Sequence, residues 1–449
     1  MAQTIILLGL LIFSAHLFSA IFSRKRIPDV LFLMIFGILV GPILHWVTPQ
    51  DVSEVGPMLS SLTLLFILFD SGVDLSINTV RKYWTGVVEV TFASFFISMA
   101  AVTALGMTFG VEWQVAMLMG SMVSGTASAI VIPLVNQMHV SEKTRVTLTL
   151  ESAISGVLCI VISLAFIEGY KMGDISLGRV LGKVLASFCM AVLLGVVGGI
   201  LWSGLLEKVR KLQNSMFLTP AFLFVIYGLT ELLGYSGAIS ALSFGLVMGN
   251  SRYFEFSLLK EISHRHTMQP LMQEEKSFFK EIVFILKTLF FVYLGICIPF
   301  TNYQAFLWGL AIAALLFVVR FVLIFFVGRN NAPLDRLTVS MMIPKGLVSA
   351  VLASMPEQVN VLAGHEVIPG ATMLKHITYA VIFCSIVICS LLVLITHRRL
   401  LKPISETPSN TSSDTSSDSL SDTSSDTLSE TPSESLSENT SKTDTDSNS

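Results

Sequence analysis

Charge is scarce in this sequence. Only 13% of its 449 residues are Asp, Glu, Lys or Arg, where a water-soluble domain carries roughly 25%. Cysteine is scarce as well. Cys159, Cys189, Cys297, Cys384 and Cys389 lie in apolar runs at no regular spacing, which excludes a disulfide framework or a zinc site and leaves them as small core hydrophobes. The P-loop and the Rossmann glycine pattern are both missing, so no enzyme, and no cofactor, is expected from motifs. His264 and His266 in "EISHRHTMQP" form an isolated pair, read as solvated rather than pH-sensing.

What the chain has instead is apolar length, with 53% hydrophobic residues. Thirteen segments stand out, at roughly 3–22, 28–46, 57–72, 85–109, 114–138, 146–168, 180–206, 216–233, 236–250, 280–299, 304–328, 337–356 and 373–396. Most reach the ~20 residues that cross a bilayer core. The first lacks the basic start and small-residue cleavage site of a signal peptide and is kept as a helix. Residues 1–402 are therefore expected to form one membrane domain with the lipid bilayer as its solvent, and residues 403–449 a separate tail. That tail has ten acids and one lysine, a balance of −9, and an acid every fourth residue from Asp414 to Glu438. Ser and Thr fill the rest without an apolar stripe, so it reads as a disordered, solvated segment, too acidic to bind nucleic acid.

Orientation follows from the basic residues. The connections after odd-numbered segments carry Arg24, Lys25 and Arg26, then Arg81 and Lys82, Lys143 and Arg145, Lys208, Arg210 and Lys211, Arg252, Lys260 and Arg265, Arg329 and Arg336, and last Arg398, Arg399 and Lys402. The opposite connections hold almost none, with Lys171, Arg179 and Lys183 the exception. The positive-inside bias then places the N-terminus outside and the tail in the cytoplasm, in a cell (inner) membrane.

Two segments are interrupted. Segment five contains "GSMVSGTASAIVIPLV", with Gly120, Ser121, Ser124, Gly125, Thr126 and Ser128 at mid-membrane depth. Segment twelve contains "MMIPKGLVSAVLASMP", where Pro344 and Gly346 flank Lys345. Small residues alone fit close helix packing. Two broken segments, one in each half of the chain, point instead to a repeat-built transporter, because irregular backbone at membrane depth is tolerated where it lines a cavity. Three charges lie deep in apolar runs: Glu151, Arg320 and Lys345. Each would cost at least ~2.5–3.5 kcal/mol unpaired at the bilayer centre, so Glu151 and Arg320 are expected to pair. Asp70, Glu89, Glu231 and Lys287 lie nearer segment ends and read as structural or interfacial.

Several stretches now carry a resemblance. "LTLLFILFDSGVDLSINTVRK", "YGLTELLGYSGAISALSFGLVMGN", "FFKEIVFILKTLFFVYLGICI", "SGTASAIV" and "IPKGLVSAVLAS", in that order across residues 1–400, resemble the monovalent cation:proton antiporter superfamily, the sodium/proton exchanger type. The resemblance implies an all-α polytopic membrane protein of about thirteen transmembrane helices. It implies inverted repeats, with broken helices five and twelve crossing at the midplane, and a homodimer. It also implies secondary active exchange of Na+ (or K+, or Li+) for protons by alternating access, the ion and the proton competing for one acid.

The sixth helix departs from the family pattern. Glu151, Ser152 and Ser155 match it, but the position of the family's ion-binding Asp is Gly156. The family's matching Glu pairs with the Arg here numbered Arg320, and Lys345 stands where the family has a basic residue in helix twelve. Three explanations are open. Glu151 takes over the exchange, with the hydroxyls of Thr126, Ser128, Ser152 and Ser155 completing an oxygen cage around the metal ion; the sequence favours this one. Transport is impaired or lost, leaving a sensory relative. Or another acid, Asp70 or Glu231, supplies the charge. A channel or receptor on the same fold, and proton-coupled uptake of an organic solute, are the readings from other classes.

Overall fold

A computed structural model describes residues 9–17, 29–52, 55–136, 138, 140–172, 177–212, 215–254, 270–298, 302–327 and 332–400. The acidic tail, the histidine pair and the basic run Arg24, Lys25 and Arg26 lie outside the described residues. Every regular element among the described residues is helical. The chain runs through α1 (9–17), α2 (Asp29–Ile38), α3 (Val55–Asp74), α4 (Ile77–Thr108), α5 (Trp113–Ser124), α6 (Ser128–Asn136), α7 (Glu142–Met172) and α8 (Leu177–Val209). It continues through α9 (Leu218–Leu232), α10 (Gly237–Gly249), α11 (Gln273–Ile296), α12 (Tyr303–Val327), α13 (Pro333–Met341), α14 (Leu347–Ala363) and α15 (Ala371–Leu400). Among the described residues, eight spans are long and apolar enough to cross a membrane, α5 and α6 together forming one of them, with three shorter apolar helices beside them.

Local chemistry sets the ends. Pro333 opens α13, where its missing N–H costs nothing. Gly364, at φ +70°, closes α14 in the left-handed conformation that glycine adopts without strain. Ser236 caps α10 by accepting from Ile239 N at 3.4 Å, and Glu231 Oε1 accepts from Gly237 N at 2.8 Å. Segment two ends early: α2 gives way at Leu39–Ile43 to a π-helical turn around Pro42, because proline has no N–H for the α-helical ladder. Several helices outrun their apolar segments, α4 and α7 among them. α4 begins at Ile77 and α7 spans Glu142–Met172, since charged residues can continue a helix beyond the hydrocarbon.

Two groups of helices emerge. In one, α10 lies between α3 and α8, and α2 lies on α11, which also touches α3. Glycines bring these backbones together: Gly72 faces the Leu242 carbonyl, Gly245 that of Phe69, Gly249 that of Val73 and Gly195 that of Ser240. Around them Phe69 packs on Phe279 at 4.6 Å and Trp202 stacks on Phe222 at 4.5 Å between ring centroids. In the second group α4 packs on α5, α7 and α12, and α15 packs on α12 and α14. A Cβ at residue 245 would collide with backbone, not with a flexible side chain. Gly245→Leu is therefore expected to cost about 1–3 kcal/mol through overpacking, read as a lower melting temperature of the purified protein in detergent.

Candidate functional site

Both interrupted segments break where glycine, proline and hydroxyl residues cluster. The first break covers residues 125–127, between α5 and α6, and the second residues 342–346, between α13 and α14. Backbone amides freed there must find partners, and in the first break all three do. Gly125 N donates to Cys159 Sγ at 3.1 Å, Thr126 N to Ser155 Oγ at 3.1 Å, and Ala127 N to Pro344 O at 2.9 Å. The last of these ties one break to the other. Close approach requires two glycines: a Cβ on Gly346 would lie 2.6 Å from Ala127 Cβ, and one on Gly125 would lie 2.5 Å from Cys159 Sγ.

Lys345 completes this crossing. It is 2% exposed, and its Nζ donates to Gly125 O at 2.9 Å and Ser124 O at 3.3 Å. Those carbonyls form the C-terminal, negative end of α5, where a cation is favoured. Its own N–H donates to Ser385 Oγ on α15 at 3.0 Å. The ammonium thus anchors the break.

Glu151 and Arg320 are 2% and 1% exposed. Arg320 donates Nη1 to Glu151 Oε1 at 2.5 Å and Nη2 to Oε2 at 2.7 Å, a bidentate pair. Two more of its five N–H groups donate to Ser94 Oγ at 2.6 Å from Nη1 and to Val339 O at 3.1 Å from Nε. The pair therefore joins α4, α7, α12 and α13. Both oxygens of Glu151 meet the guanidinium, and Glu151 is absent from the lining of the chamber described next.

That chamber, of about 20 Å³, lies between the first break and α3, α7, α10 and α14. Thr126, Ser128, Ser152 and Gly156 line it, with Ser71 of α3 opposite. A space of this size holds about one water-sized particle. Ser155 stands behind it, its Oγ 3.1 Å from Thr126 Oγ1. Ser152 donates to Thr149 O at 2.9 Å, leaving its oxygen lone pairs as acceptors. Gly156 opens onto space, for an added Cβ would meet nothing nearer than Val348 Cγ2 at 3.9 Å. A larger side chain at this position would therefore have room.

The chamber shares Ile67, Ser71, Ser128, Ala129 and Ala153 with a cavity of about 630 Å³. Asp70, Asp74, Arg145, Lys280 and Lys287 line this cavity, near the connections rich in basic residues. Lys287 pairs with Asp29 at 2.9 Å, and Lys280 lies 3.8 Å from Asp74. Asp70 is half-buried and makes no hydrogen bond or salt bridge within the described residues. Glu231, the other acid under consideration, is occupied in capping α10. Toward the opposite connections lies a larger cavity of about 1170 Å³, with the Glu357–Lys375 ion pair (2.7 Å) in its wall. At its rim Thr48 donates both N–H and Oγ–H to Asp51 at 2.8 Å, holding that carboxyl below the ordinary carboxylate range.

Sequence reasoning singled out Glu151, Arg320, Lys345, Thr126, Ser128, Ser152 and Ser155, and the structure gathers all of them around the two breaks. Ser94 and Ser385 are not distinguished by the sequence, and Cys159 reads there only as a core hydrophobe. Each is one small residue in an apolar run, and nothing in the run distinguishes a partner from packing.

Comparison with known proteins accords with this architecture. The family model described as "Sodium/hydrogen exchanger, transmembrane" matches residues 10–398. Over 396 residues the chain is 24% identical to Na(+)/H(+) antiporter 1 of Methanocaldococcus jannaschii, covering 83% of this chain and 87% of that relative. Over 383 residues it is 24% identical to the K(+)/H(+) antiporter NhaP2 of a Shewanella species, covering 83% of this chain but 62% of the relative's own length. A solved structure of the sodium proton antiporter MjNhaP1 from Methanocaldococcus jannaschii at pH 8 superposes with a TM-score of 0.70 at 19% identity, over 88% of this chain and 99% of that one. That likeness shows the fold.

Proposed function

The chain belongs to the transmembrane sodium/hydrogen exchanger family, and on that premise we propose that it is a secondary transporter exchanging a monovalent cation for protons by alternating access. It is an integral, multi-pass membrane protein. One observation carries the reading. Two broken helices cross through the Ala127–Pro344 hydrogen bond beside a chamber that shares part of its wall with a charged cavity. Family names support the ion class, since the relatives are Na+/H+ and K+/H+ antiporters.

In this reading the oxygens of Thr126, Ser128, Ser152 and Ser155 receive the cation, and Lys345 fixes the break that presents them. Glu151 neutralises Arg320 and positions the surrounding helices. Asp70 is the acid for which cation and proton compete, because it faces the cavity and is not engaged by a guanidinium. A homodimer in the cell (inner) membrane, with the N-terminus outside and the tail in the cytoplasm, completes the proposal.

Gly156 favours a second reading, a relative that no longer transports. Inverted vesicles separate the two. With a preset pH gradient followed by a dye, addition of Na+, K+ or Li+ is expected to dissipate the gradient. A gradient unmoved by every cation would leave the non-transporting reading.

A further inference from the structure

We propose that Asn250 is a positioning residue that pins the pivot about which the two groups of helices turn against each other. This rests on the exchange reading above and names the joint that the alternating movement uses. The chain passes between the groups after α3, after α7 and after α11. The first passage is the shortest, the two residues Leu75 and Ser76. Two residues span at most about 7 Å, so the ends of α3 and α4 stay together and movement between them is a change of angle. Hinges are a few such positions between elements, whose dihedrals absorb the change.

Asn250 lies against this link. Its Nδ2 donates to Leu75 O at 2.7 Å and to Leu246 O at 2.9 Å, and its Oδ1 accepts from Ile77 N at 3.0 Å. One amide thus holds a carbonyl of the link and the first N–H of α4, helix-end groups that have no partner inside a helix. A side-chain amide supplies donor and acceptor at once. The preceding residue, Gly249, meets the Val73 carbonyl, the last point of the backbone seam between α10 and α3. The seam therefore ends where the link begins, and Asn250 carries the hold of α10 across it to α4. Ser76, extended at φ −81° and ψ 120°, makes no side-chain capping bond of its own to α4. Leu75 and Ser76 also line the cavity of about 630 Å³ that Asp70 lines, so a change of angle at the pin reshapes the walls around the exchanging acid.

The test uses the full chain reconstituted in proteoliposomes. Asn250→Asp keeps the oxygen for Ile77 and loses the donors to Leu75 and Leu246, whereas Asn250→Ala loses all of these bonds. Each is expected to cut maximal cation-driven proton flux by about fivefold or more, the factor that one lost hydrogen bond supplies. Trp202→Phe is the control, since it removes a bond to Thr219 Oγ1 at 3.0 Å within the same group and away from the link. It should lower the melting temperature and leave the flux in place. Spin labels at Phe96→Cys on α4 and Leu193→Cys on α8, both exposed positions, read the angle itself. Cys189→Ala and Cys297→Ala remove the two cysteines that are not buried. The distance distribution between the labels is expected to broaden in both Asn250 variants and to stay narrow in Trp202→Phe. No broadening, equal broadening in Trp202→Phe, or full flux in both Asn250 variants of a parent that transports overturns the proposal. If the parent moves no ions, the exchange reading itself fails, and the same distances still decide whether Asn250 pins the link.

Discussion

Glu151→Gln is expected to destabilise the folded protein by about 3–5 kcal/mol, the cost of leaving a buried charge without its partner. Arg320 is 1% exposed and cannot turn to water when the carboxylate is lost. Ser94 and Val339 still accept its hydrogens, but neither carries the compensating charge. Arg320→Met should cost a similar amount, for it strands Glu151 instead. The double variant Glu151→Leu/Arg320→Met removes both charges and should recover most of the loss, since apolar groups of similar volume can replace a buried pair. Melting curves of the four proteins in detergent measure this. A Glu151→Gln variant that melts like the parent but cannot move ions would return the exchanging role to Glu151, as the sequence alone favours.

Asp70→Asn is the second large effect, and it separates function from folding. Cation-driven proton flux should vanish while stability stays within about 0.5 kcal/mol, because that carboxylate makes no hydrogen bond or salt bridge among the described residues and its charged neighbours, Asp74 and Lys280, pair with each other at 3.8 Å. Asp70→Glu should retain exchange with an altered cation dependence. Undiminished flux in Asp70→Asn would remove this residue from the mechanism and direct attention back to α7.

Much of the architecture was legible in the sequence, because membrane burial leaves a strong mark on composition. The ninth segment, expected at 236–250, is the helix Gly237–Gly249. The breaks fall at 125–127 and 342–346, inside the two stretches where glycine, proline and hydroxyl residues crowd together. The pairing of Glu151 with Arg320 followed from the cost of isolated charge in an apolar run. The far ends of helices were not legible. Ile77 to Trp84 continues α4 beyond the apolar segment, because hydropathy reports the bilayer core and not the hydrogen-bond ladder. The residues that hold the breaks were hidden for another reason. Cys159 looks like any small core residue until Gly125 N is seen to need an acceptor. Asp70 was ambiguous because a carboxylate near a helix end reads alike whether it meets headgroups or a cavity; only the walls around it decide.

The glycine seams between α3, α8 and α10 carry a mechanical consequence. Where backbone lies directly on backbone, no side chain remains to change rotamer, so the joint has no slack. Displacement is left to joints where side chains intervene, such as the one between α3 and α14. A covalent bridge inside the glycine-welded group should be silent, whereas one across the α3–α14 joint should freeze the machine.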